Sequence, residues 1–221
     1  MNRIFIIVLF VFSFMSMKGQ YHYSKFNYYS LGLSFGSDMY SYSFDEAKGI
    51  TNDKKFNYTI GVSGAYYATW IFEVHASLNY SSRNMTLLWD FPEDPNAVAK
   101  SEYKLSYLNI PIELRVNALY LNWMKLNFGI GIMPDFRFRP KEILTYQDGK
   151  SEESIKFWGT KNFAPFLFAF PFSANLKFYL NRHYTIGFGA SYYLYVNRMH
   201  TDYLTSPANA VVFRAGMYYD W

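Results

Sequence analysis

Apolar residues recur at every second position along several long segments, and this pattern constrains the fold more than any other feature. From Phe166 to Leu180 every even-numbered residue is apolar, and the same holds from Tyr184 to Val196. A period of two places these side chains on one face of an extended strand, whereas a helix would need a period near 3.6. The sequence therefore predicts an all-β protein.

About eight such segments follow one another along the chain. The predicted strands cover residues 27–37, 56–69, 71–83, 102–117, 123–137, 163–180, 183–197 and 208–221. The connections between them are alternately long, as in 38–55 and 139–162, and very short, as at Asn181 and Arg182. Long connections at one rim and short turns at the other are typical of outer-membrane barrels. We therefore predict an antiparallel up-and-down transmembrane β-barrel that forms one domain.

The bulky face of each predicted strand is expected to meet lipid. An eight-stranded barrel is only wide enough inside for side chains to fill, so it cannot hold rows of Phe from every strand. The opposite face is small or polar, as in Ser30, Gly32 and Ser34. A soluble barrel would show Lys and Glu on that face instead. An interfacial aromatic girdle is expected at the short-turn rim from Tyr66, Trp70, Trp123, Tyr184, Tyr219 and Trp221.

Residues 1–19 have the layout of a secretory signal peptide. Arg3 precedes an apolar run over residues 4–14, which is too short to span a membrane as a helix. We predict cleavage after Gly19, so that residues 20–221 form the mature barrel. Removal of Arg3 and Lys18 lowers the formal charge from +4 to +2, which is too balanced to predict nucleic-acid binding. The absence of cysteine excludes disulfides and a lipid anchor on cysteine.

The face that lines the predicted lumen carries ionisable residues of both signs. They are Glu73, His75, Glu113, Arg115, Lys125, Asp135, Arg137, Lys177, Arg214 and Asp220. Buried charges are costly unless they pair, so we predict a network of salt bridges that plugs the lumen. A proton- or ion-conducting path would use the same residues, and the sequence does not separate the two.

Catalytic chemistry has one weak candidate. His200, Asp202 and Ser206 in the last long loop could form a base, an orienting carboxylate and a nucleophile, as in a membrane-embedded hydrolase or acyltransferase. Their spacing matches no known motif, and His22, His75 and His183 show no metal-binding spacing. Asp148-Gly149 is a turn signal, not a calcium loop. We predict no enzyme activity, no cofactor and no metal.

One strand resembles a known family. Residues 105–116, L-S-Y-L-N-I-P-I-E-L-R-V, resemble a strand of the porin-family, PorT-like outer-membrane barrels, through Tyr107, Leu108, Ile110, Pro111, Leu114 and Arg115. The chain end, with Phe213, Tyr219 and Trp221, resembles the C-terminal signal by which barrels are recognised for insertion. The resemblance implies an outer-membrane location, and some relatives serve in protein secretion. Bulges, or extensions beyond the lipid, are expected at Pro111, Pro134, Pro165 and Pro171.

Two classes of function follow. The first is a structural or accessory subunit of an envelope assembly, for protein secretion or barrel biogenesis, that acts through its loops and wall. The second is a small passive pore or transporter. The strand number favours the first, since water-filled channels usually have about sixteen strands. The expected partners are outer-membrane lipid, the barrel-insertion machinery and other envelope proteins, and no nucleic acid.

Overall fold

The computed structural model describes residues 29–41, 50–53, 57–89, 98–155, 163–199 and 207–221. The predicted signal peptide and the residues His22, His200, Asp202 and Ser206 lie outside these ranges. The strands are β1 (Tyr29–Ser41), β2 (Ile50–Asp53), β3 (Asn57–Tyr67), β4 (Phe72–Trp89), β5 (Val98–Asn109), β6 (Ile112–Tyr120), β7 (Met124–Tyr146), β8 (Ser151–Ile155), β9 (Phe166–Tyr179), β10 (Tyr184–Tyr195) and β11 (Asn209–Asp220). No helix in the described ranges is long and apolar enough to cross a membrane.

The long strands close into a ring in which all neighbours are antiparallel. β1 pairs with β3 on one side and with β11 on the other. From β3 the ring continues through β4 to β5 and β6, then through β7, β9 and β10 back to β11. β5 and β6 are two halves of one predicted strand and occupy one position in the ring. The ring therefore has eight strand positions, which we call staves, and the predicted fold is confirmed.

Prolines interrupt the ladders without forming the expected bulges. The register across Pro111 is unbroken, because Asn109 pairs with Asn79 and Ile112 with Ala76. Pro111 still accepts a hydrogen bond from the Ser77 N–H at 3.0 Å but has no N–H to return. Pro134 and Pro171 likewise lie in unshifted register, and Pro165 precedes β9. The register shifts of β5 occur elsewhere, between Lys104 and Ser106 and between Val98 and Lys100.

Some predicted loops are strands. β4 continues to Trp89 and β7 to Tyr146, well past their predicted ends at residues 83 and 137. The short strands β2 and β8 pair with these extensions and give a sheet in the order β2-β4-β5-β7-β8 beyond the long-loop rim. We call this sheet the extracellular extension. Gly149, with φ of 82°, makes the turn between β7 and β8, as the Asp148-Gly149 signal predicts.

The two faces of the wall differ as predicted in the half nearest the short turns. Leu33 and Phe35 are 66% and 55% exposed on the outer face, while Ser34 is buried inside. Toward the long-loop rim the inner face becomes apolar, because Tyr103 and Leu105 point inward while Lys104 is exposed. The expectation of a small or polar inner face therefore fails for this half of the barrel.

Candidate functional site: the barrel lumen

Glu73 lies at the centre of an ion network near the short-turn rim. Its Oε2 accepts a hydrogen bond from Lys125 Nζ at 2.8 Å, and its Oε1 accepts one from Lys177 Nζ at 3.0 Å. Arg115 Nη1 lies 3.5 Å from the same Oε1. β4, β7, β9 and β6 each supply one of these side chains, so the network ties four staves together.

A second carboxylate extends this network upward. Arg115 Nε donates to Glu113 Oε2 at 2.8 Å, and Ser173 Oγ donates to the same oxygen at 2.6 Å. Gly129 on β7 leaves the space that these groups occupy. A Cβ at this position would lie 2.8 Å from Arg115 Cγ and 2.6 Å from Ser173 Oγ. The small residues of the inner face therefore make room for long charged side chains from neighbouring strands.

Asp220 and Tyr67 complete the lower layer. Asp220 Oδ2 accepts a hydrogen bond from Thr185 Oγ1 at 2.5 Å, and Tyr67 lies under both lysines of the network. Lys125 Nζ is 4.1 Å and Lys177 Nζ 5.5 Å from the centre of the Tyr67 ring. Both ammonium groups thus combine a carboxylate with an aromatic face, which stabilises a desolvated cation.

A separate charge pair lies higher in the lumen. Arg83 forms a salt bridge with Asp135, and both side chains are almost fully buried. The Arg83 guanidinium lies over the Tyr107 ring, 4.2 Å from its centre, and Tyr195 Oη donates to Asp135 at 3.0 Å. The sequence analysis missed Arg83, although it shares the odd-numbered parity of Glu73 on the same strand.

An apolar layer, the outer cluster, fills the lumen toward the extracellular rim. Its residues are Met85, Leu87, Tyr103, Leu105, Tyr107, Met133, Phe163, Leu167, Ala169, Tyr193, Tyr195, Met199, Ala210 and Val212. Leu87, Met133 and Val212 have no exposed surface. These large side chains fill the space that an eight-stranded barrel encloses at this height.

All ten predicted lumen residues lie on the inner face, but they do not form one network. Eight are buried, whereas Arg137 and Arg214 are half-buried. The structure joins Glu73, Glu113, Arg115, Lys125 and Lys177 by hydrogen bonds, and it places Asp135 with Arg83. Arg137 donates to the Phe163 carbonyl at 2.8 Å.

Asp38 is another inward carboxylate that the sequence analysis missed. It was assigned to a predicted loop because the predicted first strand ended at residue 37, whereas β1 continues to Ser41. Asp38 Oδ2 accepts hydrogen bonds from Thr59 Oγ1 at 2.5 Å and Ser81 Oγ at 2.9 Å. Continuing the alternation by one step would have found it.

Exposed aromatic side chains line the short-turn rim. The Tyr29 and Trp221 rings stack with centroids 6.2 Å apart, and Tyr219 lies 5.8 Å from Trp221. The backbone closes here as well, because Tyr29 and Trp221 exchange N–H···O bonds of 3.2 and 3.0 Å. The last residue therefore sits at the seam where the first and last strands meet.

The polar groups outside the membrane form simple surface pairs. Lys150 Nζ lies 2.7 Å from Asp148 Oδ2 in the β7–β8 turn, and this hydrogen bond lowers the pKa of the Asp148 carboxyl. Lys141 and Glu153 pair across β7 and β8 at 2.7 Å. Within the described ranges no three His, Asp or Glu side chains come close enough together to hold a metal ion.

A closed antiparallel ring with an apolar outer face and a charged interior defines a transmembrane β-barrel, and no open sheet could satisfy its backbone in lipid. A family model described as outer membrane protein beta-barrel domain matches residues 16–200. The chain belongs to this family and is an outer-membrane protein of the Gram-negative envelope, which confirms the predicted location.

Solved structures share the fold at low identity. OprG from Pseudomonas aeruginosa is 12% identical with a TM-score of 0.55, over 89% of this chain and 97% of that one. Ail, the attachment invasion locus protein of Yersinia pestis, is 12% identical with a TM-score of 0.51, over 89% and 100%. Neisserial surface protein A is 9% identical with a TM-score of 0.51, over 87% and 97%. Among curated protein sequences, none matches this chain.

Proposed function

We propose that this protein is a non-conducting, non-enzymatic barrel that serves as a structural or accessory subunit of an envelope assembly. The observation that carries the proposal is the filled lumen. The charged network around Glu73 occupies the periplasmic half, and the outer cluster occupies the extracellular half. A protein built this way offers partners its extension and its wall, not its bore.

The outer cluster argues against the pore function more strongly than the ions do. A network of charges can accommodate water and still pass ions, whereas an apolar constriction excludes water. Leu87, Met133 and Val212 come from three different staves and are fully buried together. Opening a path would require these staves to separate or the cluster to unpack.

The resemblance of residues 105–116 to the PorT-like strand supports the choice of assembly. It favours protein secretion or barrel biogenesis as the process served, with other envelope proteins as partners. The barrel-insertion machinery is a further proposed partner, through Phe213, Tyr219 and Trp221 at the end of β11. We also propose that residues 1–19 are removed as a signal peptide.

Conductance and stability, measured on the same variants, test the closed lumen. We expect wild type in planar bilayers to show no steady unit conductance. Arg115→Ala should remain closed but lose about 3–5 kcal/mol of unfolding free energy, because Glu113 loses its cation partner in a buried site. Lys150→Ala is the matched control, since its side chain is 83% exposed. If wild type conducts steadily and Arg115→Ala alters only ion selectivity, the protein is a pore.

Site-directed photo-crosslinking tests the accessory role. A crosslinking residue at Ser151 or Lys100 samples the extracellular extension, one at Leu33 samples the wall, and one at Asn127 samples the lumen as a control. We expect discrete crosslinked bands from the extension or the wall in intact cells, and none from Asn127. Bands that are equal at all positions, or absent from extension and wall alike, would contradict a role through these surfaces.

A further inference from the structure

Three prolines lie at nearly the same height on three neighbouring staves. Pro111 separates β5 from β6, Pro134 lies in β7 and Pro171 lies in β9. The Ile110 N–H donates to the Pro134 carbonyl at 3.0 Å, and Pro134 pairs with Phe168 on its other side. Because proline has no N–H, sheets normally confine it to edge strands or bulges, yet each of these staves has neighbours on both sides and an unshifted register at the proline. The prolines therefore remove hydrogen bonds from the interior of a closed wall.

The ladder between β7 and β9 has a gap at this height. Gly131 and Ile132 have no ladder partner on β9, although the register is the same on both sides of the interruption. Every second residue of an antiparallel strand bonds the same neighbour. The Arg137 N–H donates to the carbonyl of Pro165, just before β9, at 2.9 Å, so the odd-numbered residues of β9 face β7. Pro171 is one of them and lies opposite Gly131, so the Gly131 carbonyl lacks its ladder bond.

β7 lies close against β6 at the same point. A Cβ on Gly131 would collide with the Ile112 carbonyl and would lie 2.8 Å from Glu113 Cα. Only glycine fits this close approach, and it leaves no side chain on the inner side of the gap. On the opposite side of the ring, β11 pairs without interruption with both β1 and β10. The gap is therefore a property of the β7–β9 side and not of the wall in general.

The side chains behind the gap are apolar. Met133 on β7 and Leu167 and Ala169 on β9 belong to the outer cluster and are at most 2% exposed. In front of the gap, Ile132 and Phe170 face the membrane. A local separation of the two strands would bring apolar side chains against lipid chains, which are as apolar as leucine. The lysines of the ion network pair nearer the short-turn rim of the same ladder and would stay enclosed.

We propose that β7 and β9 separate locally at this gap and that the opening admits a hydrocarbon chain from the membrane to the outer cluster. Local opening concentrates where few backbone hydrogen bonds hold a segment, and Pro134 and Pro171 have removed such bonds on both sides of β7. The chain enters through the wall, so the opening requires no path along the barrel axis. This site does not depend on the accessory role.

Photo-labelling from the membrane tests the opening on the full-length wild-type protein. The barrel is reconstituted in vesicles that contain a phospholipid with a diazirine in one acyl chain, irradiated, and mapped by mass spectrometry. The measured quantity is the labelling of a buried inner residue relative to that of its outward neighbour. Ala169 against Phe170 reports on the gap, and Val212 against Val211 reports on the uninterrupted ladders of β11. We expect the first ratio to exceed the second by about tenfold or more.

Pro171→Ala should lower the Ala169 ratio about fivefold, the effect of one net hydrogen bond, because it returns an N–H to the Gly131 carbonyl, and it should leave the Val212 ratio unchanged. If this variant does not insert, the two ratios in wild type decide the matter alone. Equal ratios at the two sites, or an unchanged Ala169 ratio in Pro171→Ala, would overturn the proposal. Labelling of Leu87, which is buried nearer the extracellular rim, to the level of Ala169 would also overturn it, because the chain would then enter through the barrel mouth.

Discussion

Glu73→Gln is the substitution that most directly tests the lower ion network. Glutamine keeps the volume and one acceptor oxygen of Glu73 but removes the negative charge that three cations share. Lys125 and Lys177 have no other carboxylate within salt-bridge distance in the described part of the chain. The variant therefore leaves two buried ammonium groups with only the Tyr67 and Tyr218 rings and polar neighbours to stabilise them.

The size of the effect follows from the geometry. At an effective dielectric constant of about 20, the attraction between unit charges 2.8 Å apart is roughly 6 kcal/mol, and desolvation offsets part of it. Removing one partner of a buried pair costs about 3–5 kcal/mol in measured systems. We expect a loss in this range for Glu73→Gln, which lowers the folding equilibrium constant by about two to four powers of ten.

Urea unfolding in lipid vesicles, followed by tryptophan fluorescence, measures the loss. With an m-value of about 2 kcal/mol/M, the midpoint should fall by roughly 1.5–2.5 M. Glu153→Gln is the matched control, because the Lys141–Glu153 pair has a similar length, 2.7 Å, but lies at the surface, and such pairs contribute about 0–1 kcal/mol. Equal midpoints for Glu73→Gln and Glu153→Gln would refute a structural role for the network.

Three further variants test the insertion signal, the lipid-facing wall and the ladder. Trp221→Asp should block membrane insertion but not export, because it places a charge at the interfacial seam; normal outer-membrane levels in fractionated cells would contradict this. Leu33→Arg should lower unfolding free energy by about 2–4 kcal/mol, whereas Met39→Arg, near the rim, should cost about 0–1 kcal/mol, and similar urea midpoints would contradict the assigned membrane depth. Pro111→Ala should gain about 0.5–1.5 kcal/mol by returning an N–H to the Ser77 carbonyl, and slower hydrogen exchange of the Ser77 region would be its signature.

The ring of eight staves was predictable because lipid imposes a simple rule on sequence. Each outward position must be apolar over the whole membrane thickness, so the alternation is long and unbroken in β9 and β10. The extracellular extension escapes this rule. Its outer face carries Lys100 and Lys141, so the outward row of apolar residues that marks a lipid-facing strand is missing there. Strand segments that are exposed to water on one or both faces were therefore predicted as loops.

The parity of the residue numbers alone does not predict which charged side chains form salt bridges. Parity assigns a side chain to the inner face, but its height depends on the register of every ladder between it and its partner. Glu73 meets Lys177, which is 104 residues away and on a stave that is not its neighbour. The split between the Glu73 network and the Arg83–Asp135 pair is a difference of height, and it emerges only from the closed ring.

Along the stave formed by β6 and β5, the inner face changes from charged to apolar and the outer face changes from apolar to charged. This change explains why the lumen holds both the Glu73 network and the outer cluster. In β6 the inner residues Glu113 and Arg115 are charged while Leu114 faces lipid. In β5, which lies on the same stave but nearer the long-loop rim, Leu105 points inward while Lys104 faces water. The alternation does not change phase along these two strands, so the outward residues change from charged at Lys104 to apolar at Leu108 and Ile112. Beyond that boundary the outer face no longer needs to be apolar, and the barrel can bury an apolar core as a soluble domain does. The outer cluster includes such a core at Leu87 and Tyr103, and it continues toward the short-turn rim to Ala169 and Val212, where the outward neighbours Phe170 and Val211 are apolar.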